Sequence, residues 1–309
     1  MSLAALIARQ GFVVLDGGLA TELERGGADL HDPLWSAKAL LEAPDRIQRV
    51  HQAFFAAGAD VAISASYQAS ITGFGERGLG PAEARRLMGS SVALAQRARE
   101  RFWESSDRMA SRAWPLVAGS VGPFGAARAD GSEYTGSYGV SRQQLADFHG
   151  PRLEALTGAG ADLLAIETCP SPTEADVVLE LLRSWPDTQV WVAFTCRDER
   201  TVSEGQAVTE VIAAVAVHPQ VSAVGFNCVP PRLVDGLLEQ AGSVTTKPLV
   251  VYPNSGERWD VMGRRWLAGD AACDFGESAP RWRARGAQLI GGCCRTTPDT
   301  IRRIREALE

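Results

Sequence analysis

The chain is poor in several things at once. Of its 31 basic residues only Lys38 and Lys247 are lysines, and no function follows from that. Nowhere do apolar residues run for the roughly 18 positions a membrane helix needs, so a transmembrane protein is not expected. The N-terminus, Met1 to Gln10, has no basic stretch ahead of its short apolar run and no cleavage pattern, so no secretory leader is expected. Six cysteines in 309 residues are too sparse for a disulfide scaffold. Two of them, Cys293 and Cys294, are adjacent, a poor geometry for a structural bridge. A reducing, cytoplasmic setting with working thiols is the expectation. The net charge of −6 argues against a general nucleic-acid or anionic-membrane binder. Charged residues at 22% and apolar ones at 45% are ordinary for a folded protein, and the length allows a large core.

What is present is a rhythm. Eight short apolar, β-branched runs alternate with longer Ala/Leu/Arg/Glu segments: Phe12–Leu15, Val61–Ser64, Leu116–Gly119, Leu163–Ile166, Val190–Phe194, Ala223–Phe226, Leu249–Val251 and Gln288–Ile290. Apolar runs without alternation fit strands buried on both faces, as in parallel sheets. The intervening segments are long enough for crossover helices. Helix starts are expected at Pro44, Pro81, Ser141, Ser171, Ser203, Pro231 and Thr297, from capping residues and first-turn prolines. The Pro81 helix is expected to reach about Arg108, and the Ser203 helix about His218. Similar junctions recur before three strands, Gly58-Ala59-Asp60, Gly160-Ala161-Asp162 and Gly286-Ala287-Gln288. Repeated βα units would produce such junctions.

The expected fold is therefore α/β, a single (β/α)₈ TIM barrel over residues 1–309, with its active site at the C-terminal ends of the strands. An open doubly wound sheet is the alternative, but Asp16-Gly17-Gly18-Leu19-Ala20-Thr21 lacks the three-glycine dinucleotide spacing. Residues 122–138 form the longest Gly-rich polar stretch and read as a functional loop. The Arg/Trp-rich segment from Arg258 to Arg285, with Trp259, Trp266 and Trp282, reads as amphipathic helical faces with Trp packed inward rather than as a base-stacking surface.

The polar residues gather at the strand ends. Asp16 follows the first run, and Ser66, Tyr67 and Gln68 the second. Glu167 follows the fourth, Cys196 the fifth, and Asn227-Cys228 the sixth. Asn254 follows the seventh, and Gly291-Gly292-Cys293-Cys294 the eighth. In a barrel these ends share one rim. Three protein thiolates with one open position describe a catalytic zinc, since soft sulfur ligands suit Zn²⁺. Gly291 and Gly292 would let the backbone turn both sulfurs toward one metal. Spacing alone leaves this level with the alternative that Cys228, Cys293 and Cys294 are ordinary buried thiols. Cys169, Cys196 and Cys273 have no partner pattern. Asp16 reads equally as a site anion or a turn residue. Glu167, at the end of a buried apolar strand, needs a bound ammonium or an arginine.

Leu15 to Leu23, Ser66-Tyr67-Gln68-Ala69-Ser70, Ile166-Glu167-Thr168, Thr195-Cys196-Arg197-Asp198, Gly225-Phe226-Asn227-Cys228, Tyr252 to Glu257 and Gly291-Gly292-Cys293-Cys294-Arg295-Thr296 together resemble the homocysteine S-methyltransferase family. The resemblance spans nearly the whole chain in order. With Gly131 to Tyr138 it is closer to the branch using S-methylmethionine or S-adenosylmethionine than to the betaine-using branch. It implies zinc-dependent methyl transfer from a sulfonium donor to homocysteine, giving methionine, with Zn²⁺ on Cys228, Cys293 and Cys294. It further implies that Asp16, Gly17, Gly18, Ser66 and Glu167 bind homocysteine. Trp35, Tyr67, Glu133, Tyr134 and Tyr138 are donor-side candidates, for each of which a packing or loop role stands as the alternative. Asn227 and Asn254 are candidates for orienting the backbone. Other readings are a selenocysteine or different thiol as acceptor, betaine as donor, or a non-catalytic zinc- or thiol-binding barrel. Neither a nucleic-acid partner nor a membrane is implied, and a monomer is compatible.

Overall fold

A computed structural model describes residues 1–28, 37–105, 112–260, 265–267 and 273–309, with 258–260 and 265–267 as backbone alone. Its strands are β1 (Val13–Val14), β2 (Val61–Ile63), β3 (Leu116–Val121), β4 (Leu163–Cys169), β5 (Val190–Phe194), β6 (Val221–Asn227), β7 (Leu249–Tyr252), β8 (Arg258–Asp260), β9 (Arg265–Leu267) and β10 (Ala287–Ile290). Eight of them form one parallel sheet in the order β1-β10-β7-β6-β5-β4-β3-β2. The ends of that order meet: Leu15 bridges Val61, the Asp16 amide donates to the Val61 carbonyl, and the Asp60 amide to that of Val14. The sheet is thus a closed (β/α)₈ barrel, and all eight expected runs fall on its strands.

The period of two along each strand sorts side chains into two cores. Leu163 and Ala165 of β4 pack inside the barrel with Val13, Leu116, Trp191, Ala223, Val250 and Leu289. Leu164 and Ile166 face outward and pack under the helices with Val117, Val192, Val224 and Val251. The same parity carries Ser120, Glu167, Asn227 and Tyr252 to the inner side at the C-terminal end. Below them Trp191 donates to the Tyr252 hydroxyl at 3.0 Å, the rings meeting edge to face, and this pair floors the site.

At the opposite end, buried Asp60 ties the barrel shut. It accepts from the Val14 amide at 2.9 Å and from Arg305 of the last helix at 2.5 Å, with Arg112 at 3.5 Å. First strand, second strand and final helix are joined at one carboxylate.

Helices begin at Pro44, Pro81, Pro172 and Pro298 as the capping signals predict, and Ser141, Ser171 and Thr297 each accept from an amide three residues on. Four expectations need correction. The helix expected from Ser203 is Val208–Ala216. Asp198 accepts from the Arg200 and Thr201 amides and the Thr201 hydroxyl, folding the preceding residues into a turn with bridges at Cys196–Val202 and Thr201–Ala207. The Pro81 helix ends at Glu104. Residues 122–138 are partly helical, with Phe124–Arg128 and a 3₁₀ turn at Ser132–Tyr134. The segment from Arg258 opens not as helix but as the antiparallel hairpin β8–β9. Gly256 and Gly263 bracket a run of six residues, too short to nucleate a helix. Helix Phe275–Ala284 follows, and there Trp282 is packed inward as expected.

Candidate metal and substrate site

Cys228 follows β6, and Cys293 and Cys294 follow β10. Their sulfurs converge: Cys228 and Cys294 lie 3.8 Å apart, Cys293 and Cys294 3.9 Å, and all three within 4.8 Å of one another. A tetrahedral zinc with sulfurs at about 2.3 Å requires edges of about 3.8 Å, so the cluster fits that ion. All six cysteines are free thiols. Cys228 occupies the left-handed region at φ 52°, a strained setting for a residue with a Cβ that turns its sulfur into the site. The three titrate as a unit. Cys228 sits well below the usual thiol range because its sulfur accepts from Cys293, Cys294, Tyr134 and Asn254. Cys293 and Cys294 are pushed well above it, chiefly by their contact with Cys228 and by burial.

The glycines before the pair act differently from the expectation. Neither Gly291 nor Gly292 has positive φ. What they provide is close approach: a Cβ at Gly291 would stand 2.6 Å from the Leu15 Cβ, and one at Gly292 would collide with the Thr296 side chain. The turn is thereby packed directly onto the end of β1.

Asp16 and Glu167 line the same pocket as the sulfurs, 2% and 7% exposed. Asp16 Oδ2 accepts from the Ile63 amide at 2.8 Å. Burial holds its carboxyl well above the usual range, and the charge of Glu167 adds to this. Glu167 accepts from the Ser120 hydroxyl, and burial raises it to about 7. Among the described residues lining the pocket there is no arginine, lysine or histidine. Two buried carboxylates in one pocket, both raised by burial, are each stabilised as the ionised form by a cation placed between them.

Tyr67, Glu133 and Tyr134 form another wall. The Tyr134 hydroxyl reaches Cys228 Sγ at 3.5 Å. Glu133 is raised to about 7, mainly by burial, and its Oε2 has no hydrogen-bond partner. Asn227, fully buried, accepts from the Thr168 amide at 2.6 Å and donates to the Thr168 hydroxyl at 2.8 Å, joining the ends of β4 and β6. Asn254 accepts from the Cys294 amide at 3.1 Å.

Some expected residues are placed elsewhere. Ser66 does not line the pocket; its hydroxyl donates to the Ser120 carbonyl and pairs with Ser64, and Ser64 is the one that faces the cavity. Gly17 and Gly18 do line it, but the Gly18 amide is already spent on Thr296. Tyr138 lies outside, its ring against Phe124 at 5.5 Å. Trp35 falls outside the described residues. Thr168, Tyr252 and Ser120 were not singled out as site residues from the sequence. Strand parity, extended one step beyond each apolar run, is the signal that finds Tyr252 and Ser120.

A closed barrel with three convergent thiols and two buried carboxylates in one pocket at the C-terminal rim has the architecture of an enzyme active site. The sequence profile described as homocysteine S-methyltransferase matches residues 13–308, and the chain belongs to that family. Homocysteine S-methyltransferase YbgG of Bacillus subtilis is 47% identical over 94% of this chain and 93% of its own length. The homocysteine S-methyltransferase of Escherichia coli is 47% identical over 97% and 96%. The crystal structure of the Escherichia coli homocysteine methyltransferase MmuM in its metallated form superposes with a TM-score of 0.89 at 45% identity, covering 98% of this chain and 99% of that one. Its apo form gives 0.80.

Proposed function

We propose that this homocysteine S-methyltransferase is zinc-dependent and takes its methyl group from a sulfonium donor, S-methylmethionine or S-adenosylmethionine, with the whole chain serving as one homocysteine-binding barrel. The observation that carries the reading is the sulfur triangle of Cys228, Cys293 and Cys294, at zinc-site spacing, in the pocket that also holds Asp16 and Glu167. When bound, the zinc supplies one open position and a charge that lowers the pKa of an incoming thiol.

The chain's residues do the rest. Asp16 and Glu167, ionised, grip the homocysteine ammonium. Cys228, Cys293 and Cys294 would hold the metal as thiolates, and their three negative charges would keep a substrate sulfur beside them electron-rich. Asn254, through the Cys294 amide, fixes one of these ligands in direction. Tyr67, Glu133 and Tyr134 face the donor, whose positive sulfur suits both aromatic faces and a carboxylate. The homocysteine sulfur forms a bond to the methyl carbon as the donor's carbon–sulfur bond breaks. The electron pair of that bond stays on the donor sulfur, which leaves as a neutral thioether. The thiol proton goes to solvent. The sulfonium is already activated by its own charge, so alignment and exclusion of water are the protein's contribution. Reduced thiols in the site fit a cytoplasmic setting. Among the described residues no helix is long and apolar enough to cross a membrane.

The test is a rate comparison with homocysteine and each of S-methylmethionine, S-adenosylmethionine and betaine, alongside metal analysis. Turnover with a sulfonium and about one zinc per chain support the reading. Full activity in zinc-free protein, or betaine as the better donor, overturns it.

A further inference from the structure

Behind the pocket lies a buried polar relay that the reaction does not use. Arg152, on helix Arg142–Gly158, is 1% exposed. Its guanidinium donates to the carbonyls of Gly122 at 2.6 Å and Tyr67 at 2.9 Å. It also donates to His149 Nδ1 at 3.3 Å. That contact leaves the His149 proton on Nε2, which donates to Glu174 Oε1 at 2.8 Å. The same carboxylate oxygen accepts from the Phe124 amide at 2.5 Å. Burial lowers His149, so the ring is a neutral connector between a cation and an anion.

A buried ion pair is a poor way to gain stability alone, since apolar packing of the same volume does as well or better. What this one provides is directional grip, and its ends are informative. One end holds the backbone of Tyr67 itself. It holds Gly122 as well, and the other end, Glu174, holds the Phe124 amide; the segment bearing Glu133 and Tyr134 begins between these two grips. Tyr138 closes that segment, with its ring on Phe124 and its hydroxyl facing Glu174. The two backbones meet so closely that a Cβ on Gly122 would overlap the Tyr67 carbonyl. The thiols, Asp16 and Glu167 stand on other strand ends, and none of the relay's hydrogen bonds reaches them.

We propose that Arg152, acting through His149 and Glu174, is a positioning residue that sets Tyr67 and the Glu133–Tyr134 pair against the sulfur cluster, and so governs the donor rather than homocysteine. This rests on the donor-side reading given under Proposed function.

The experiment uses zinc-loaded enzyme, with S-methylmethionine kinetics and calorimetric titration of homocysteine. In Arg152→Lys a single ammonium replaces the fork that holds Gly122 and Tyr67. The KM for S-methylmethionine rises about tenfold while the homocysteine Kd stays within about twofold, as misplacement of one substrate's contacts requires. Glu174→Gln, which keeps an acceptor for the Phe124 amide and removes the charge, shifts the same KM and stands in if Arg152→Lys does not fold. Arg112→Lys is the control. That arginine is also buried and grips the carbonyls of Phe55 and Ala59 at the far end of the barrel, so its replacement lowers Tm without separating the two substrates. Folded Arg152→Lys and Glu174→Gln with an unchanged donor KM, or with homocysteine weakened by the same factor, overturn the proposal. Tyr134→Phe and Glu133→Gln separate the layers. If both leave the donor KM unchanged, the donor-side reading fails; if they raise it while Arg152→Lys does not, the relay alone fails.

Discussion

Cys228 and Cys294, 66 residues apart in the chain, hold their sulfurs 3.8 Å apart without forming a disulfide. That spacing matches the edge of a zinc–thiolate tetrahedron and is far longer than a disulfide bond of about 2.0 Å. Replacing either by serine, or Cys293 by serine, should lower bound zinc well below one per chain and abolish methyl transfer. Metal analysis with a homocysteine methylation assay checks this; a serine variant that keeps both zinc and turnover would contradict the ligand assignment.

Glu167 titrates near 7 because it is buried. Gripping an ammonium requires the ionised form. Homocysteine binding should therefore release a proton from this carboxyl below about pH 7, in addition to that lost by the thiol, and affinity should improve as pH rises through 7. Calorimetry in buffers of different ionisation heat counts these protons, and Glu167→Gln should release fewer and bind homocysteine more weakly.

The same shift has a sign for stability. The folded-state pKa of this acid is raised, so the wild-type chain loses stability as pH rises from the unfolded value near 4.5 to the folded value near 7. Glu167→Gln should match wild type near pH 4 and exceed it by about 3 kcal/mol at pH 8 in denaturant unfolding of the metal-free, substrate-free protein. An advantage that shrinks with rising pH would contradict the assignment.

Gly18 packs against the thiol turn: a Cβ there would stand 2.7 Å from Thr21 Oγ1 and 2.8 Å from the Cys293 carbonyl. Gly18→Ala should cost about 1–3 kcal/mol by overpacking and should weaken zinc retention, because the backbone that must move carries a ligand. Unfolding and metal competition measured on one preparation test both halves.

At the other end of the barrel, Asp60→Ala leaves Arg112 and Arg305 buried without their anion. A loss of about 3–5 kcal/mol is expected, with no change in the ratio of substrate KM values. Thermal unfolding and steady-state kinetics separate these two effects.

Strand parity explains how much could be read in advance. The run Leu163–Ile166 announced a strand, and adding one residue places Glu167 on the inner face with Leu163 and Ala165. The same step places Ser120 and Tyr252, although a lone Ser or Tyr carries no signal of its own in the sequence. Ser66 misled for the complementary reason. It lies past the end of β2, where the backbone turns and parity no longer says which way a hydroxyl points. Gly18, expected among the homocysteine-binding residues, gives its amide to Thr296, 278 residues on, a pairing that no local pattern announces.

The sequence by itself determined the barrel, since eight doubly buried apolar runs with helical spacers have few other packings. It also placed Cys228 and the Cys293–Cys294 pair at strand ends that a barrel must bring together, while spacing alone left a metal site level with ordinary buried thiols. Tertiary structure alone decided which side chains share the cavity with those sulfurs and which are spent on holding backbone. Those outcomes depend on hydrogen bonds between residues distant in the chain, such as Ser66 to Ser120, Asn227 to Thr168 and Arg152 to Tyr67. No local pattern encodes such pairings, because each partner's direction is fixed only when the strands have closed.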